Sequence, residues 1–182
     1  MRAFVAIDLP DLVRGELGDL QNELAVGRAV PEENLHLTLC FLGEQPDEAI
    51  KEAHLALSCI QSSSFTLRLA GVGSFGKRSP QVIYADVAPS PGLMELEKRI
   101  TRALRNAGLR FQKRRFRPHV TVTRLPKGLS VFEIANLQSR LAEVSAFQGS
   151  AFEVSSFQLY QSTLTPAGAL HQVLANYELA GS

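Results

Sequence analysis

Two five-residue stretches constrain this chain more than anything else in it: Leu35-His36-Leu37-Thr38-Leu39 and Pro118-His119-Val120-Thr121-Val122. Side chains on a strand alternate faces. His36 and Thr38 therefore share one side with Leu37 and Leu39 behind them, and Val120 and Val122 back His119 and Thr121 in the same way. Each stretch follows a loop and precedes a segment of helical periodicity. The histidines stand 119 − 36 = 83 residues apart, close to half of the 182-residue chain. Chance gives two of four histidines a threonine two residues on in about 1% of cases. A polar pair over core, met twice at half-chain spacing, predicts a duplicated architecture. Two lobes related by a pseudo-two-fold axis would bring the equivalent strands face to face across one cleft.

The rest of the pattern agrees with an α+β chain. Alternation and apolar runs predict strands at 2–7, 35–42, 65–72, 82–87, 118–124, 152–161 and 171–179. Apolar residues at helical spacing predict helices at 11–24, 47–60, 93–107 and 130–143, the third ending at Gly108. Helices and strands mix throughout, and no linker divides the chain, so 1–182 reads as a single bilobal domain, its motifs at 36–39 and 119–122. No apolar run approaches the length needed to span a bilayer. The opening MRAFVAIDLP is broken by Asp8 and reads as a first strand, so the cytosol is the expected compartment. Nothing in the sequence asks for an oligomer, and a monomer is the expectation.

Net charge is +1, but it is unevenly spread. Residues 98–127 hold eleven basic side chains (Lys98, Arg99, Arg102, Arg105, Arg110, Lys113, Arg114, Arg115, Arg117, Arg124, Lys127) and no acidic one. Such a run is either a polyanion footprint or a solvated helix face followed by a basic loop. The paired motifs suit phosphate chemistry. Histidine exchanges protons near neutrality, and a threonine hydroxyl two residues away donates to a phosphoryl oxygen.

The flanks make the pattern specific. Pro31-Glu32-Glu33-Asn34 before His36, Phe41-Leu42-Gly43 after it, and Phe116-Arg117-Pro118-His119-Val120-Thr121-Val122-Thr123-Arg124 resemble the two signatures of the 2H phosphoesterase superfamily. Within it the similarity is to RNA 2′,3′-cyclic phosphodiesterases, also called 2′-5′ RNA ligase-like proteins. The opening Arg2–Pro10 stretch and Gly71-Val72-Gly73-Ser74-Phe75 also fit, so the resemblance covers nearly the whole chain. It implies a bilobal duplicated fold, two antiparallel-type sheets with flanking helices around a central cleft. It implies hydrolysis of a terminal 2′,3′-cyclic phosphate on RNA to a 2′-phosphate, without metal or cofactor, and a site able to form 2′-5′ linkages. His36 and His119 would be the acid–base pair, with Thr38 and Thr121 as phosphate donors. Arg124 matches a phosphate-contacting position of the family, although simple alternation places it on the wrong face and favours Arg117. Two departures stand out: Cys40 replaces a basic or polar residue, and Gly168 is followed by Ala169-Leu170-His171 where the family often has a tyrosine.

Other readings are weaker. Gly71 to Lys77 imitates a phosphate-binding loop, but Arg78 replaces the magnesium-binding hydroxyl and no helix follows, so it reads as a loop between strands. His36, Cys40, His54 and Cys59 lack metal-knuckle spacing, and no metal is expected. Alternation places Cys40 beside His36 and Thr38, while His171 reads as a structural or rim histidine. Two alternative functions stay open: a non-catalytic RNA-end binder, and a 2H enzyme acting on a small cyclic nucleotide.

Overall fold

The computed structural model describes residues 1–76, 79–112, 115–166 and 168–181. Lys77 and Arg78 of the glycine-rich stretch, and Lys113 and Arg114 of the basic stretch, lie outside the described residues. In chain order the elements are β1 (Arg2–Asp8), α1 (Asp11–Leu24), β2 (Arg28–Ala29), β3 (His36–Glu44), α2 (Asp47–Ser58), β4 (Phe65–Leu67) and β5 (Leu69–Phe75). There follow β6 (Val82–Val87), α3 (Pro91–Asn106), β7 (His119–Arg124), α4 (Val131–Glu143), β8 (Phe152–Val154), β9 (Ser156–Thr165) and β10 (Gly168–Glu178). The chain is α+β, as its pattern predicts. No described helix is long and apolar enough to cross a membrane.

Local chemistry sets the helix ends. The Ser90 hydroxyl accepts from the Leu93 amide at 3.3 Å, and Pro91 opens α3, its fixed φ suiting the first turn. The helix therefore begins two residues before the predicted 93. A capping box starts α4: Ser130 Oγ accepts from the Glu133 amide, and Glu133 returns a carboxylate oxygen to the Ser130 amide at 2.7 Å.

The strands run antiparallel in the order β10-β9-β1-β3-β7-β6-β5, with β2 on the free side of β7 and β4-β8 as a separate pair. The two lobes are thus β10-β9-β1-β3 and β7-β6-β5. They join at a single residue pair, Leu37↔Val120. The motif strands meet edge to edge, so the two sheets continue into one another. The lobes are also interleaved rather than being halves of the chain. β9 and β10 return to β1, α1 packs on β7, and α3, which follows β6, packs on β3. One apolar core unites Val5, Leu17, Leu37, Ile83, Leu96, Val120 and Phe157, each at most 1% exposed.

The glycine-rich stretch is strand rather than loop as far as Phe75. Gly73 sits opposite Tyr84 on β6, and the Tyr84 ring lies over it. A Cβ at Gly73 would fall 2.5 Å from Tyr84 Oη and 2.6 Å from Cζ. The glycine provides the space an aromatic ring occupies on a strand. Gly73→Ala should therefore overpack this face and cost about 1–3 kcal/mol. A melting experiment should show Tm lower by roughly 2–12 °C.

Candidate active site

The motif pairing fixes the centre of the site. Antiparallel register about Leu37↔Val120 sets His36 opposite Thr121 and Thr38 opposite His119, all four on one face. The two histidines are then diagonal neighbours, about 7–8 Å apart between Cα atoms. Each motif also has the same neighbour on its far side: Asp8 of β1 pairs with His36, and Asp86 of β6 with His119.

Bulges explain the arginine that alternation misplaces. On β3, Ala6 and Val5 pair with Thr38 and Cys40, so Leu39 is an extra residue. On β7, Tyr84 and Ile83 pair with Thr121 and Thr123, so Val122 is extra. Both bulges fall at the fourth motif position and reverse the facing of the residues beyond it. Arg124 therefore shares the side of His119 and Thr121, while Thr123 turns into the core at 1% exposure. Cys40 likewise turns away from His36 and Thr38, against Glu97, Thr101 and Arg105 of α3. The expectation that Cys40 lies beside the site is corrected. Burial pushes its thiol up to about 12, with Glu97 adding to the effect, so it is an inert core residue.

Backbone carbonyls orient both rings. His119 Nδ1 donates to the Arg117 carbonyl at 2.7 Å, which leaves Nε2 free for a substrate proton. His36 makes the equivalent bond to the backbone of Asn34, again two residues upstream. Burial is the main force on both, and it lowers both. His36 falls to about 4, depressed further by His171, Arg124 and His119, against the pull of its Asn34 bond. For His119 burial and the Arg117 guanidinium oppose the Arg117 carbonyl and Asp86. Asp8, the corresponding acid beside His36, is occupied in an ion pair with Arg14.

Aromatic rings line each side. Phe4 of β1 stacks on His36 at 4.8 Å and on Tyr160 of β9 at 5.0 Å. Across the site Phe75 and Tyr84 meet the His119 ring edge-on at 4.9 and 5.4 Å. The Arg117 guanidinium lies 4.9 Å over Phe75. Beside it opens a cavity of about 400 Å³ lined by Phe75, Tyr84, Asp86, Arg115 and Arg117 among others.

The structure therefore brings His36, Thr38, His119, Thr121 and Arg124 onto one face, with Arg117 at its edge. The basic stretch divides. Arg115, Arg117 and Arg124 belong to this region, whereas Arg99 pairs with Glu95 at 2.9 Å on the outside of α3. His54 is engaged elsewhere, its Nδ1 3.0 Å from Tyr177 Oη. Among the described residues no group of three or more His, Cys, Asp or Glu side chains could hold a metal ion. Sequence reasoning left out the aromatic walls and the place of His171, whose ring stands 5.1 Å from that of His36 and nearly perpendicular to it. The signal near His171 was the departure at Ala169-Leu170-His171, which follows Gly168 where the family often has a tyrosine.

Comparison with known proteins points to one family. The 2′-5′ RNA ligase superfamily matches residues 9–165. An RNA 2′,3′-cyclic phosphodiesterase of Thermotoga maritima is 32% identical over 188 aligned positions, covering 100% of this chain and 97% of the relative. One from Archaeoglobus fulgidus is 33% identical, covering 98% and 100%. The crystal structure of Escherichia coli LigT in its apo form superposes with a TM-score of 0.79 at 28% identity, covering 98% of this chain and 97% of that one. With the family matched over most of the length and the fold shared from end to end, the chain belongs to the 2′-5′ RNA ligase superfamily.

Proposed function

We propose that this protein is an RNA 2′,3′-cyclic phosphodiesterase that opens a terminal cyclic phosphate to a 2′-phosphate. The observation that carries the reading is the register at Leu37↔Val120, which sets the two His-x-Thr pairs side by side on one face of the sheet. A binding module would need the arginines but not two imidazoles with oriented, free nitrogens.

In this reading water attacks phosphorus in line with the bond to O3′. One histidine takes a proton from the water as the new P–O bond forms. The other gives its proton to O3′ as the P–O3′ bond breaks. Thr38, Thr121 and Arg124 stabilise the charge that builds on the phosphoryl oxygens, as donors in an oxyanion hole do. We assign the roles from the two environments. Asp86 favours a charged His119, the acid. His36 has its acid neighbour taken by Arg14 and cations around it, and is the base. With an RNA 5′-hydroxyl in the place of water, the same displacement leaves a 2′-5′ linkage.

Five outcomes test this. His36→Ala and His119→Ala should each lower kcat/KM at least about 10²-fold, and the double variant should lose far less than the product of the two. A substrate with a much better leaving group should rescue His119→Ala and not His36→Ala; the reverse rescue would exchange the roles.

The kcat/KM profile against pH reports the free enzyme. The base must be neutral, which requires pH above about 4, and the acid charged, which requires pH below a His119 value itself under 6.5. The bell should therefore peak on the acid side of 6.5. The kcat profile should lie higher, because bound anionic phosphate favours both imidazolium forms.

Arg124→Ala should raise KM about tenfold or more, and Arg117→Ala less, because the Arg124 charge is felt at His36 while Arg117 is stacked on Phe75. Full turnover should survive exhaustive chelation. Loss in EDTA that one divalent ion restores would defeat the proposed mechanism.

A further inference from the structure

On the His36 side the cleft face carries a polar row that the mechanism leaves unused. Arg2 precedes Ala3, whose partner on β9 is Gln161, and the next residue along β9, Ser162, pairs with His171 of β10. Arg2, Ser162 and His171 thus line up across three adjacent strands on the face that bears Phe4 and Tyr160. In a flat sheet, β10 would lie about 14 Å from β3, three spacings of ~4.8 Å. The rings of His171 and His36 are nevertheless only 5.1 Å apart, so the sheet curls and sets this row against the reaction centre.

The row is cationic and uncommitted. No ion pair or hydrogen bond is made by the Arg2 side chain among the described residues. Its cross-strand neighbour Glu44 is turned to the terminal amine of Met1 at 3.6 Å. His171 Nδ1 is buried with no hydrogen-bond partner. An imidazolium needs an acceptor at each nitrogen, so the unpartnered Nδ1 disfavours the charged ring at His171. Burial and the nearby Arg124 and Arg2 act in the same direction. A neutral donor beside an arginine and a hydroxyl suits a phosphodiester oxygen better than a carboxylate-bearing corner would.

We propose that Arg2, Ser162 and His171 form a second phosphate subsite, which takes the phosphodiester immediately upstream of the terminal cyclic phosphate. This rests on the phosphodiesterase reading and narrows its substrate to an RNA end of at least two nucleotides. One ribose separates the two phosphates of such an end, and one ring contact separates His171 from His36.

Three substrates test it: a nucleoside 2′,3′-cyclic phosphate, a dinucleotide with the same end, and that dinucleotide with its internal phosphodiester replaced by an uncharged methylphosphonate. The natural dinucleotide should show kcat/KM about tenfold or more above the mononucleotide. The methylphosphonate should fall back to the mononucleotide level. Arg2→Gln and Ser162→Ala should erase the dinucleotide advantage while mononucleotide turnover stays within a few-fold. Equal turnover of the charged and uncharged dinucleotides overturns the subsite and leaves the phosphodiesterase reading standing. So does an advantage that both variants retain. No turnover of any of the three overturns the phosphodiesterase reading and the subsite with it.

Discussion

The chemistry of this molecule depends on the contact between β3 and β7, and that contact is one residue pair wide. Leu37 and Val120, both fully buried, lock the two sheets at the middle residue of each motif. Because the pair lies at the centre, the flanking histidines and threonines are related by two-fold symmetry without further adjustment. A shift of one residue would turn one motif's polar pair toward the core and its leucines or valines toward the cleft. The apolar residues of the motifs therefore set the register of the polar ones. The cost of burying a histidine and a threonine unpaired, several times the net value of a single hydrogen bond, protects it.

The second layer of control is electrostatic. Burial alone would leave both histidines neutral. What distinguishes them is the set of charges around each: His171, Arg124 and His119 press on His36, whereas Asp86 partly offsets burial at His119. The two halves of the duplicated frame are thus electrically unequal. The aromatic rings around each histidine strengthen this, since they exclude water and lower the local dielectric.

Much of this is legible from the sequence, and the remainder has a definite physical cause. The motifs, the α+β pattern and most element positions come from periodicity, because strand and helix alternation reflects burial directly. Arg124 and Cys40 do not, because a bulge leaves no mark in composition: Leu39 and Val122 look like ordinary core positions, yet each shifts the facing of every residue after it. The Gly71 to Phe75 segment misleads for a related reason. Glycine there answers to the ring of Tyr84 from another strand, a long-range cause that a local reading assigns to a turn. His171 comes to the site only through the curl of the sheet, a property of four strands together and of no one of them.

The interleaving of the lobes has a consequence for synthesis. Both His-x-Thr motifs leave the ribosome before β9 and β10, which supply Tyr160 and His171 and cover the far side of β1. A nascent chain therefore holds both motif histidines while the wall around His36 is still missing and Phe4 is still open to water. Water around His36 would let its basicity drift back toward that of free imidazole. The wall around His36 is thus a product of the final strands, and it is complete only when the last hairpin closes.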